Sequence, residues 1–170
     1  MHPSVRRSLV GATALLVVGA ASAAPAAVAD DGHRHDRGHS RARTLLHADL
    51  VGSLTSDARL FDVAPGGRDW SISRSTVHVR TDGRADIKVR DLVLTDTGTN
   101  PVPQIAASLV CNGSLVSGVL GPVAYDTDGD ARIKGRFAVP ARCLAPAVLL
   151  HPAAPATNLG VYIAASGAAR

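Results

Sequence analysis

The sequence predicts an all-β protein, an antiparallel β-sandwich or partly open barrel of eight or nine strands. Three observations predict it. All 14 acidic residues are aspartate and none is glutamate, which removes a good helix former and adds a turn former. From Leu45 onward, short apolar runs alternate with Gly, Pro, Asn and Asp clusters, the spacing typical of sandwich and barrel strands. No segment combines a long 3.6-residue apolar period with capping residues at its ends.

In chain order, the strands are expected at 44–54, 70–80, 84–94, 104–111, 114–120, 122–126, 130–139, 146–151 and 159–166. Pro65-Gly66-Gly67, Asn100-Pro101 and the stretch from Pro152 to Pro155 separate them. At Asp82-Gly83 a two-residue loop would set Val79 opposite Asp86 and mismatch the faces. A three-residue loop, Thr81-Asp82-Gly83 with Gly83 left-handed, restores parity. It pairs Val79 with Ala85 and Val77 with Ile87 on the inner face, and His78 with Asp86 on the outer face. Asn112-Gly113 suits a two-residue type I′ turn that pairs Cys111 with Ser114 and Leu109 with Val116. Trp70 opens a strand after a turn and is expected to plug the core.

The segment Thr81–Arg90 recurs as Thr127–Arg136, with seven of ten residues identical at a distance of 46 positions. By analogy the second copy is expected to be a hairpin, with Tyr125 opposite Ala131 and Val123 opposite Ile133. One hairpin in each half would suit a sandwich of two similar units.

The N-terminus has the pattern of an export leader. Arg6 and Arg7 precede an uncharged run from Leu9 to Ala21, and Ala27-Val28-Ala29 has the small-x-small form cut by signal peptidases. The arginine pair also fits a twin-arginine leader, although Val5 stands in place of the usual polar residue. No later stretch reaches the ~18 apolar residues of a membrane helix, so no integral membrane segment is expected beyond the leader. The reading is a signal peptide at 1–29, a disordered His/Arg/Asp-rich arm at 30–43 and a single β domain at 44–167. The arm cannot bury enough apolar surface to offset its ordering. Its His33, His35 and His39 lack a fixed scaffold, so a solvated linker is preferred to a metal site.

Cys111 and Cys143 are the only cysteines, and in an exported chain they are expected to form a disulfide. Once the leader and its two arginines are removed, 16 Lys and Arg face 14 Asp. That slight excess, with no dense basic block, argues against a nucleic-acid binder.

Asp126, Asp128 and Asp130 begin like a calcium loop. However, Ala131 stands where the loop needs glycine and Phe137 where it needs the bidentate glutamate. Turn chemistry accounts for these aspartates, and no metal or other cofactor is assigned. No hydrolase or phosphate-loop motif is present. Serines and His47, His78 and His151 keep a motif-free secreted hydrolase as the alternative class, but a non-enzymatic module is preferred. Lys88, Arg90, Arg132, Lys134 and Arg136 fall on outward strand positions, a face suited to an anionic wall polymer or glycan. Charge on an exposed strand also deters edge pairing without any ligand.

The turn at Gly66-Gly67-Arg68-Asp69-Trp70, the Asn100-Pro101-Val102-Pro103 segment, the cysteine pair and the ending Val161 to Gly167 together resemble small secreted actinobacterial β-domain proteins of uncharacterised function. The resemblance spans most of 48–167. It implies a shared exported β domain and carries over no activity. Separately, with no cysteine at the cleavage site and no sorting tail, the exported chain is expected to be released or loosely wall-associated.

Overall fold

The computed structural model describes residues 42–154 and 156–167. The expected leader and all but the last two residues of the expected arm lie outside the described residues. Among those described, the chain is all β, with fourteen strands and no helix, and hence no helix long and apolar enough to cross a membrane. The strands are β1 (Thr44–Ala48), β2 (Leu50–Gly52), β3 (Ala64–Pro65), β4 (Trp70–Ser71), β5 (Arg74–Arg80), β6 (Arg84–Arg90) and β7 (Val93–Leu94). They continue as β8 (Gln104–Cys111), β9 (Ser114–Leu115), β10 (Leu120–Ala124), β11 (Ala131–Arg136), β12 (Ala147–Pro152), β13 (Val161–Tyr162) and β14 (Ala164–Ser166).

Two antiparallel sheets make the sandwich. A four-stranded sheet runs β1-β5-β6-β11, and a six-stranded sheet runs β10-β8-β12-β14-β2, with β9 folded back on β8. Several expected strands are split. The stretch 44–54 becomes β1 in one sheet and β2 in the other, joined across the sandwich where Leu50 N donates to Ser75 Oγ at 2.7 Å. The stretch 84–94 breaks at Asp91, which adopts a left-handed φ of 50°.

The two sheets differ as their sequences require. Strands β5 and β6 alternate buried and outward residues, so one face is apolar and the other meets solvent. Strands β8 and β12 are near-continuous apolar runs, buried on both faces. Their inner residues Ile105, Leu109, Val148 and Leu150 meet Val77, Ile87 and Ile133 in the main core. Their outer residues Val110 and Leu149 pack with Val63 and Tyr162 in a second cluster. Trp70 is in the main core as expected, with Gly66 leaving room for its indole.

Both predicted tight turns form in the predicted register. Val77 partners Ile87, His78 partners Asp86 and Val79 partners Ala85, with Gly83 at φ 86°. Cys111 partners Ser114, and Val116 N bonds Leu109 O at 2.8 Å. The Cys111–Cys143 disulfide is present, with Cα atoms 4.9 Å apart. Asn112 secures the same junction. Its side chain donates to Arg142 O and accepts from Leu144 N, both at 2.9 Å.

The second expected hairpin does not form. Val123 partners Ile105 of β8, while Ile133 partners Ile87 and Ala131 partners Val89 of β6. The Asp128-Gly129 turn therefore carries the chain from one sheet to the other. The two repeat copies are neighbours in one sheet, and do not occupy separate halves.

Candidate anion-binding face

Alternation along β5, β6 and β11 turns the apolar residues inward and leaves the outer side of the four-stranded sheet to polar side chains. Arg74, His78 and Arg80 lie on β5, Arg84, Asp86, Lys88 and Arg90 on β6, and Arg132, Lys134 and Arg136 on β11. All five cations expected from the sequence share this face. Arg84 and Arg80, which were not singled out, extend it toward the turn.

Register is decisive here. Arg74 partners Arg90, while Lys88 partners Arg132 and Arg84 partners Arg136. Like charges directly opposite each other destabilise a strand pair. Aspartates offset part of this repulsion. Asp86 takes a two-pronged bond from Arg132, with Nε to Oδ1 at 2.9 Å. Arg90 pairs with Asp130. Asp82 lies 3.6 Å from Arg84 and 3.9 Å from Arg136. Lys88 and Lys134 make no salt bridge among the described residues.

The titration of the acids follows from these neighbours. The Arg132 hydrogen bond, aided by the fields of Arg132, Lys134 and Lys88, holds Asp86 below the usual carboxylate range against some desolvation. Desolvation raises Asp130, but the Asp91 amide and the Arg90 guanidinium outweigh it and its pKa falls. Both stay ionised at neutral pH, so the face keeps cations in excess.

Two shallow depressions flank Lys88. One, of about 390 Å³, is lined by Lys88, Arg90, Asp130, Ala131 and Arg132. The other, of about 270 Å³, is lined by His47, Thr76, His78, Asp86 and Lys88.

The other sequence candidates fall elsewhere. Asp126 Oδ1 accepts from Asp130 N at 2.8 Å, so the D-x-D-x-D run closes its own turn and pairs with Arg90. No group of three or more metal-ligating side chains occurs among the described residues. His78 and Asp86 are in register, but His78 Nε2 contacts Thr44 Oγ1 at 3.2 Å, while Asp86 is held by Arg132.

Sequence reading did not single out the pairing of Ser108 with His151. Ser108 Oγ lies 2.7 Å from His151 Nε2, and His151 Nδ1 lies 2.7 Å from Val161 O. With the Nδ1-protonated tautomer, His151 donates to Val161 and accepts from Ser108. Burial pushes its pKa down, in keeping with a neutral ring. Ser108 is 2% exposed and His151 0%, so here the pair ties β8 and β12 to Val161 beneath the surface.

Compared with known proteins, the chain matches no family model, no curated protein and no solved structure. The site's own chemistry must therefore carry the functional argument.

Proposed function

We propose that this chain is an exported, envelope-associated binding module whose four-stranded sheet holds an anionic polymer such as a wall polymer or charged glycan. One observation carries the reading. Three cross-strand pairs on one open face, Arg74–Arg90, Lys88–Arg132 and Arg84–Arg136, set cation against cation. A sheet arranged for stability alone places opposite charges there. Neighbouring strands lie about 4.8 Å apart, and alternate residues about 7 Å apart along each strand. Both spacings are shorter than the ~8 Å screening length at physiological salt. Lys88 and Lys134, which make no salt bridge among the described residues although Lys134 lies opposite Asp86, therefore act together with their neighbours on a polyanion.

The test is retention of the protein on purified cell-wall fractions at rising salt. Lys88→Glu combined with Lys134→Glu is expected to weaken retention by roughly tenfold or more, on the scale of ~1 kcal/mol per surface cation near an anionic layer. Arg142→Glu, beside Cys143 and away from the face, should leave it unchanged. Lys88→Glu alone creates an opposite-charge pair with Arg132, so it should lower retention while leaving stability equal or up to ~1 kcal/mol higher. Retention that ignores both salt and charge reversal would refute the reading. Turnover on a generic ester, peptide or glycan panel would place the protein in the hydrolase class instead.

A further inference from the structure

We propose that His47 and His78 form a two-histidine site for a divalent late transition metal, copper(II) above zinc(II), at the β1 side of the same face. His47 and His78 are direct partners across the β1–β5 ladder. Their ring centroids are 5.8 Å apart and the rings are inclined at 68°. In an imidazole–metal–imidazole unit with metal–nitrogen bonds of about 2.0 to 2.1 Å, the centroids lie about 4.5 to 6.4 Å apart as the angle at the metal opens from about 90° to 180°. The observed spacing falls within that range without moving either strand.

The surroundings leave room for an ion and its waters. His78 Nε2 is directed toward β1, where its contact is the Thr44 hydroxyl at 3.2 Å, a neutral partner that a metal can displace. Both rings line the 270 Å³ depression together with Thr76, Asp86 and Lys88. Asp86 is occupied by Arg132 and Lys88 is a cation. The protein therefore supplies two ligands, and water completes the coordination. Such a site is open and exchangeable. Neutral imidazole suits copper and zinc, and copper(II) stands highest in the divalent series. The two strands hold these histidines at a set spacing, an order that the arm histidines were not expected to have.

The test uses the full-length chain with His2, His33, His35 and His39 all changed to Ala. Among the remaining histidines, His151 has both ring nitrogens engaged by Ser108 and Val161. Calorimetric titration with copper(II) is expected to show one equivalent bound, with zinc(II) weaker. Adding His47→Ala or His78→Ala should weaken copper binding about tenfold or more, in line with losing one of two protein ligands. Electron paramagnetic resonance of the copper-loaded parent should show two nitrogen ligands. Paramagnetic broadening in the otherwise unmodified chain should include the His47 and His78 ring protons, a readout that needs no variant to fold. No copper binding by the arm variant, equal binding after either substitution, or broadening that spares both rings would overturn the site. Polymer retention without added metal is a separate measurement, so failure of one reading is distinguishable from failure of the other.

Discussion

Thr81–Arg90 and Thr127–Arg136 begin with the same turn, yet the strands that enter them run to different sheets. Gly83 N bonds Arg80 O at 2.9 Å and Gly129 N bonds Asp126 O at 3.1 Å, with φ of 86° and 83°. After the turns, β6 and β11 pair antiparallel with Ile87 opposite Ile133, equivalent residues of the two copies. A local two-fold axis therefore passes through that pair. Before the turns the copies diverge. Strand β5 lies beside β6, whereas β10 lies beside β8. Pro122 lacks an N–H for a second ladder, and the β10 register shifts between Leu120 and Val123. Tyr125 N bonds Pro103 O at 3.0 Å, and the Asn100 amide holds Asp126 O at 2.7 Å. These bonds commit the entry strand to the six-stranded sheet. A shared turn sequence thus sets the turn and leaves the partner open.

The three positions where the copies differ follow from the same arrangement. Asp86 and Arg132 occupy one repeat position, and across the two-fold they bond each other. Arg84 and Asp130 occupy another. Arg84 sits beside Asp82, while Asp130 bridges Arg90 and the Asp91 amide. Val89 is replaced by Gly135 because Leu120 of β10 fills that space, where an added Cβ would lie 2.7 Å from Leu120 Cδ2.

Breaking the two-fold at its centre should have the largest effect. Ile87 and Ile133 are both fully buried, so Ile→Ala at either is expected to cost about 2 to 5 kcal/mol by urea unfolding. The two costs should agree within about 1 kcal/mol, and the double variant should depart from their sum by about 0.5 kcal/mol or more because the residues touch. Strict additivity would deny that they form one packing unit.

Next is the disulfide, whose loop from Cys111 to Cys143 encloses the whole second copy and none of the first. Cys143→Ser should cost about 2 to 5 kcal/mol. Amide exchange should rise more in β11 than in the β5–β6 hairpin. Equal exchange in both would remove the distinction between a local hairpin and a tethered strand.

Making the second copy more like the first should be costly as well. Gly135→Val drives a branched side chain into Leu120, with an expected loss of about 1 to 3 kcal/mol. Adding Leu120→Ala should recover part of it, and no recovery would locate the strain elsewhere.

The smallest effect concerns pH. Burial lowers the pKa of His151, so its contribution is complete above the unfolded value of about 6.5 and declines below it. Asp86 and Asp130 have lowered pKa values. Their contribution is present above about pH 4 and is lost as pH falls through the folded values. A shallow two-stage fall in stability toward acid is expected. His151→Gln should remove the first stage and Asp86→Asn should reduce the second.

The sequence by itself determined what depends on a few adjacent residues. The left-handed glycine at position 83 and the Asn112-Gly113 turn are local conformational preferences, and the alternation of β5 and β6 states which side faces the core. Together these placed the first hairpin in register and put Lys88 and Arg90 on outward positions, whereas Arg132, Lys134 and Arg136 were read outward from the repeat and reached that face on β11 without the hairpin expected for it. The cysteine pair was legible because no third cysteine competes. Tertiary structure alone decided the partner of the second copy, the meeting of His47 with His78, and the closing of Ser108 onto His151. Each brings together residues more than 30 positions apart in the chain, His47 with His78, Ile87 with Ile133 and Ser108 with His151. The physical reason is that turn preference is settled by nearby φ angles and hydrogen bonds. Which distant strands pair depends on which arrangement buries all the apolar faces at once, and no short window of sequence contains that comparison.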